Sequence, residues 1–316
     1  MLVLPIFMAL LSGPLPHITN VRINLNSRWS ADAGLVLAAL SWGFNGNLIK
    51  LTVAAFPPLY YLGIRFLLAG VIMTALFWHK ILQMPKKAWL WAVWAGAMLF
   101  GGFSLQTVGL QYTSPGISAF LTMTSFIFVP IFKALISREL PEGMLVIAVV
   151  LEALGMGLLF SGNSFVFGWG EMLTLLSAIM FAVHILVVDK AVRLTGTAAL
   201  ASVQVSVTGC LSLLAALFLE QYPGEFPMIS VIAISYGVIF GSIGAYMVQT
   251  WAQRLTPPSH AGILLSLEAI FALMFSLFFG MDVLTRNGVM GLALVFLGTL
   301  VAEWPLNSKK QGCSRS

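Results

Sequence analysis

The sequence predicts an all-α polytopic membrane protein, with ten transmembrane helices arranged as two inverted five-helix repeats. Three observations lead there. The 316 residues are 59% hydrophobic and only 9% charged, with a mean hydropathy of +0.96. Soluble domains carry about 25% charged residues, so this chain has too few charges to wet a globule of its size. Its apolar runs are continuous and about 20 residues long, enough at 1.5 Å per residue to cross a hydrocarbon core of about 30 Å. Lastly, the second half of the chain echoes the first.

Only helices and closed barrels satisfy their own backbone hydrogen bonds in lipid. Barrel strands would alternate apolar and polar residues, and these runs do not alternate.

Ten spans follow in order. The first, 33–53, ends before Pro57-Pro58, and the second, 58–79, ends at Lys80. The third, 88–108, follows Lys86-Lys87, and the fourth, 116–136, opens after Ser114-Pro115. The fifth and sixth, 143–162 and 168–188, are divided by the glycine-bearing stretch around Gly162 and Gly168. The seventh, 197–219, stops at Glu220, and the eighth, 228–248, follows Pro227. The ninth, 258–279, opens on Pro258 and stops at Gly280, and the tenth, 286–304, ends before Pro305. Residues 1–32 form an N-terminal tail. They lack the basic start and small-residue cleavage site of a signal peptide. Residues 305–316 form a C-terminal tail.

Positive charge orients the bundle. Of the 16 Lys and Arg, 13 gather on one side when both termini lie in the cytoplasm; Lys50, Arg65 and Arg286 do not. Cytoplasmic loops retain Lys and Arg during insertion, so the expectation is a multi-pass inner (plasma) membrane protein with both termini inside. The net charge of +5 thus reflects topology, and no nucleic-acid partner is expected. Cys210 and Cys313 lie far apart and indicate neither a disulfide framework nor a zinc site. Short loops leave no room for a nucleotide-binding domain, and no phosphate-binding loop is present. No cofactor or metal is expected, and no catalytic signature such as HExxH or GxSxG occurs.

The echo is ungapped from Gly101 to Gly155 at a shift of 143 residues. Gln106-Thr107 of QTVGLQYTSP meets Gln249-Thr250 of QTWAQRLTPP; Thr113 and Pro115 meet Thr256 and Pro258. Earlier in each copy, Trp42 and Asn45 meet Phe181 and His184 at a shift of 139. The expected units are 33–162 and 167–304. Five is odd, so the second copy enters the membrane upside down. Inverted repeats hold a midplane site between halves that rock against each other. The prolines fall in the first helical turn, where a missing N–H costs nothing.

The same residues resemble the drug/metabolite transporter superfamily, EamA type. The resemblance rests on LSWGFNGNLIK (40–50), IRFLLAG (64–70), SAFLTMTSFIFVP (118–130), FAVHILVVDK (181–190), QTWAQR (249–254) and LLSLEAIFALMF (264–275). It covers nearly all of 33–304. It implies a ten-helix secondary transporter with a central cavity, and bacterial members commonly export amino acids, metabolites or drugs. The family pattern has Glu-Pro where this chain has Glu268-Ala269, and Gly-Glu where it has Gly280-Met281.

Charges at mid-bilayer depth cost about 2.5–3.5 kcal/mol on insertion scales and so need partners or a wet cavity. Glu268 and Glu152, each near mid-span, are candidate proton carriers, as is His184. The candidate cavity residues are Trp42, Asn45, Arg65, Gln106, Tyr112, Phe120, His184, Gln249, Gln253 and Glu268. Arg65 reads either as a structural bond to backbone carbonyls or as a carboxylate binder. Lys50 reads as snorkelling to the interface. Gly101, Gly102, Gly155, Gly157, Gly241 and Gly244 read as close helix contacts.

The functional reading is a secondary transporter that exports a small organic solute by alternating access, proton-coupled or by exchange. An intramembrane enzyme and a non-transporting scaffold or sensor remain as alternatives. The expected partners are the solute and membrane lipid, with the oligomeric state, monomer or homodimer, left open.

Overall fold

The computed structural model describes residues 28–138, 143–160, 167–283 and 285–303. The predicted tails, 1–32 and 305–316, lie largely outside these residues.

All the regular structure among the described residues is helical. The helices are α1 (Arg28–Val53), α2 (Pro58–Leu82), α3 (Lys86–Gly109), α4 (Pro115–Met123), α5 (Ser125–Ser137) and α6 (Gly143–Phe160). They continue with α7 (Trp169–Ala191), α8 (Thr197–Leu219), α9 (Met228–Tyr236), a π-helical segment (Gly237–Gly244), α10 (Ala245–Ala252), α11 (Pro258–Phe278) and α12 (Arg286–Glu303). Among the described residues, seven helical runs are long and apolar enough to cross a membrane: Pro58–Leu82, Lys86–Gly109, Pro115–Ser137, Trp169–Ala191, Thr197–Leu219, Met228–Ala252 and His260–Phe278. The chain is a multi-pass membrane protein.

Local chemistry sets where these helices begin and end. Proline stands at the first turn of α2, α4 and α11, where its fixed φ suits the helix. Ser114 caps α4 by accepting from the Ile117 N–H at 3.2 Å. Glu171, in the first turn of α7, accepts from the Gly168 N–H at 2.9 Å. Past α11 the chain turns at Gly280, whose φ of 68° is open to glycine at no steric cost. α4 and α5 are one run interrupted at Thr124, with Pro130 inside α5. α9, the π segment and α10 likewise form one continuous run.

The most extensive packing pairs α2 with α8, α6 with α12, α3 with α7, and α1 with α11. Lipid tails offer no hydrophobic force between helices, so close approach at small residues supplies the contact. Gly209 carries α8 against the backbone of α2: a Cβ there would lie 2.4 Å from the Leu67 nitrogen. Gly63 of α2 does the same against Leu213, at 2.8 Å from its Cα. Gly43 of α1 meets backbone atoms of Glu268 and Ala272 in α11 at 2.8 Å. The predicted contact glycines fare unevenly. Gly157 has open space around it, and Gly101 has only Met180 at 3.4 Å. Outward residues such as Leu76, Leu135, Phe218 and Phe278 are exposed and suit a lipid-facing surface.

Candidate functional site

The helices line a cavity between the two halves, built by helical periodicity. α1 contributes Trp42, Asn45, Gly46 and Ile49, and α3 contributes Leu99, Phe103 and Gln106, with Leu110 at its C-terminal cap. These spacings of three and four put each set on one helical face. α7 adds Phe181, His184 and Ile185; α10 adds Tyr246 and Gln249; α11 adds Leu265, Glu268 and Ala272. The interrupted α4–α5 run adds Ser118, Thr122 and Ser125. The centre of a water-sized sphere can occupy about 80 Å³, which is room for several waters at about 10–15 Å³ each.

The lining is paired between the two halves. At the shift of 139, Trp42 faces Phe181, Asn45 faces His184 and Gly46 faces Ile185 as equivalents, and all six line the cavity. At the shift of 143, Phe103 and Tyr246, Gln106 and Gln249, Thr122 and Leu265, and Ser125 and Glu268 are equivalent, and all eight line it too. The two halves contribute the same positions but different chemistry. His184 and Glu268 both belong to the second half; their first-half equivalents, Asn45 and Ser125, carry no charge.

Hydrogen bonds fix most of these groups. Trp42 donates from Nε1 to the Gly241 carbonyl at 2.8 Å. Gln106 donates from Nε2 to the Thr122 hydroxyl at 2.9 Å. His184 Nε2 lies 3.0 Å from Gln204 Oε1, and Gln204 Nε2 donates to Thr250 at 3.4 Å. A bond from His184 to the Gln204 oxygen places a proton on Nε2, an assignment that follows the orientation of the Gln204 amide. Gln204, a helix away on α8, is thus a partner of His184 that the sequence pattern does not single out. The Oδ1 of Asn45 and the Oε1 of Gln249 have no hydrogen-bond partner. Tyr246 stands at the centre of an aromatic cluster, 5.3 Å from Trp42, 6.4 Å from Phe103 and 6.3 Å from His184 between ring centroids.

Not every candidate reaches the cavity. Trp42, Asn45, Gln106, His184, Gln249 and Glu268 line it. Arg65 is fully buried just behind it, with its guanidinium carbon 5.4 Å from the Phe103 ring centre. Its Nε donates to the Ser242 hydroxyl at 3.0 Å, not to the backbone carbonyls expected. Phe120 packs into the core beside α1 and α11, and Gln253 is buried without lining the cavity. Tyr112 is 62% exposed and borders a separate outer recess with Lys50 and Glu171. Glu152 is buried away from the cavity, against Gly298 of α12. Lys50 folds back and donates to the Leu110 and Thr113 carbonyls at 2.7 and 2.8 Å. It thus satisfies carbonyls at the end of α3 instead of extending outward.

Polar ties join the halves at both ends of α11. At its start, Asp32 of α1 accepts from the Thr256 hydroxyl at 3.2 Å and pairs with His260 at 3.2 Å, while Arg28 Nη2 lies 3.0 Å from His260 Nδ1. At its end, Asp282 accepts from Ser276 at 2.6 Å and from the Gly116 N–H of α4 at 3.0 Å. Among the described residues, no cluster of three His, Cys, Asp or Glu side chains could hold a metal ion.

Fold and site together define a polytopic helical membrane protein whose largely apolar cavity, carrying a few polar side chains, is walled in part by equivalent positions of a duplicated sequence. Residues 29–161 and 168–303 each match the EamA-like transporter family, and the chain belongs to that family. It is 30% identical to an uncharacterized transporter of Archaeoglobus fulgidus over 278 residues, covering 87% of this chain and 86% of the relative. It is 25% identical to the uncharacterized inner membrane transporter YedA of Escherichia coli over 270 residues, covering 82% and 86%. A crystal structure superposes at a TM-score of 0.71 with 18% identity, over 87% of this chain and 97% of that one; that likeness speaks to fold alone.

Proposed function

We propose that this protein is a secondary transporter that exports a small organic solute by alternating access. In this reading ten spans form two inverted five-helix repeats, with both termini in the cytoplasm. The observation that carries it is the pairing in the cavity lining, where seven pairs of equivalent positions from the two halves meet. Two oppositely inserted copies make two near-equivalent packings of the same helices, one open to each face.

The packing pattern supports the same arrangement. Exchanging the two copies turns the α1–α11 contact into the contact of α7 with α4–α5, and leaves α2–α8 and α6–α12 unchanged. Aromatic walls from Trp42, Phe103, Phe181 and Tyr246 suit an organic body. Glu268 and His184, at the cavity, are the candidate proton carriers. Glu152, the third candidate carrier, does not line the cavity.

The test is flux. Metabolite profiling of cells with and without the protein selects candidate solutes, and purified protein in liposomes is then assayed with those solutes. Solute movement driven by its own gradient or a pH gradient, and slowed at least tenfold by Glu268→Gln, is the expected result. Chemical conversion of solute without vectorial movement would establish the enzyme alternative instead.

A further inference from the structure

Arg65 is only partly answered by its surroundings, which include the Tyr61 hydroxyl beside it and the charge of Glu268. It is fully buried in a helix that crosses the membrane, where an unpaired charge is costly. A guanidinium offers five N–H donors in a planar fork. Only Nε has a hydrogen-bond partner, Ser242; Nη1 and Nη2 have none. The rings of Phe66 and Phe103, with centres 4.7 and 5.4 Å away, supply cation–π attraction. Such rings leave the in-plane donors unused. A buried polar group without a partner calls for an explanation, such as an ion or ligand.

The backbone opposite Arg65 is built to let its side chain approach closely. It is the π-helical segment Gly237–Gly244, and π-turns inside helices recur at functional sites. A Cβ on Gly237 would lie 2.7 Å from Arg65 Cδ, and one on Gly241 would lie 2.7 Å from Arg65 Nη2. The Gly241 Cβ position is also 3.4 Å from Cγ of Asn45. The guanidinium fills this glycine notch, and the Asn45 amide packs against the same Gly241 position. Asn45 is 2% exposed, lines the cavity, and has an unpartnered Oδ1. It stands between the notch and the cavity.

We propose that Arg65, Asn45 and the Gly237–Gly241 notch form a subsite for the anionic head of the solute, an organic carboxylate whose body lies among the aromatic walls. Paired Nη donors match a carboxylate bidentately, which a point charge cannot do. Rotation of the Asn45 amide brings its NH₂ to the same anion. The proposal rests on the transporter reading for its biological sense, yet binding at the subsite requires no transport.

The experiment therefore uses the full chain purified in detergent. Benzoate and its neutral isostere benzamide are titrated, reading intrinsic tryptophan fluorescence and thermal unfolding. Benzoate is expected to bind at least tenfold more tightly than benzamide. Arg65→Gln should abolish that ratio, and Arg65→Lys should restore only part of it. Asn45→Asp, which places a like charge at the notch and leaves Arg65 in place, should also abolish it; this variant guards against misfolding of the first. Equal binding of the two probes, no benzoate binding, or a ratio unchanged in Arg65→Gln overturns the subsite. So does a stability loss in Arg65→Gln that Glu268→Gln repairs, since Arg65 would then be the internal partner of Glu268. Arg65-dependent benzoate binding without flux of any solute would sink the transporter reading alone. Flux with no preference for carboxylates would sink the subsite alone.

Discussion

Replacing Gly43 by alanine puts a methyl group where α1 and α11 cross. The added Cβ would lie 2.8 Å from the Ala272 nitrogen, the Glu268 carbonyl oxygen and the Phe271 Cβ. Two of those atoms are backbone and cannot rotate away, so the helices must part by several tenths of an ångström. Overpacking of this kind costs about 1–3 kcal/mol, and rigid neighbours favour the upper end. Alanine returns about 1 kcal/mol of helix propensity. The net is a loss of about 2 kcal/mol. Separation also strains the Asn47 side chain, which donates to the Ala272 carbonyl at 3.0 Å. Gly46, one turn on and facing the cavity, has nothing within 4 Å of an added Cβ. Gly46→Ala is therefore the control, expected to be neutral or stabilising by up to about 1 kcal/mol. The assay is reversible unfolding in mixed micelles titrated with SDS. If Gly43→Ala proves no less stable than Gly46→Ala, the crossing does not have the closeness described.

Three further outcomes are expected. Asp32→Asn removes the charged acceptor shared by Thr256 and the buried His260, and should cost about 1.5–3 kcal/mol in the same titration; Arg28→Gln, at a pair one-third exposed, should cost about 1 kcal/mol or less. Trp42→Phe removes the bond to the Gly241 carbonyl and should cost about 0.6–1.7 kcal/mol, with faster hydrogen exchange confined to 237–246 as its mark. Glu220 accepts from the Leu59 and Tyr60 N–H groups at 3.0 Å, yet burial raises its pKa above the ordinary Glu value, outweighing those two bonds, which lower it. Its contribution to stability is therefore fully present below the unfolded Glu pKa and is lost as pH rises through the folded one. The stability of the wild type relative to Glu220→Gln should accordingly fall as pH rises from about 4 to 7; a rise would contradict the desolvation argument.

The apolar runs and the prolines made the helices legible, because lipid demands continuous hydrophobicity and proline marks a first turn. Much of the cavity was legible for a related reason: Gln106 and Gln249 are conspicuous in apolar sequence. Phe103 and Tyr246 were not, because aromatic residues are common in any bundle. Their equivalence at the shift of 143 was the available signal. Gln204 and Ser242 lay hidden because their importance comes from partners on other helices, His184 and Arg65. The tie between Asp32 and His260 spans 228 residues, a distance that no local pattern encodes. Glycines misled most. Gly43, Gly63 and Gly209 make the close crossings while Gly157 faces open space, and only helix rotation, set by the whole bundle, distinguishes them. The π segment has no local signal beyond its small residues.

Opposite insertion of the two copies is the central claim, and cysteine accessibility tests it most directly. Ala54, beyond α1, and Arg193, beyond α7, are equivalent at the shift of 139, and both are exposed. With Cys210 and Cys313 replaced by alanine, a single cysteine is placed at one or the other position. A membrane-impermeant thiol reagent applied to intact cells should modify Ala54→Cys at once, and Arg193→Cys only after permeabilisation. Labelling of both from the same face would contradict the account.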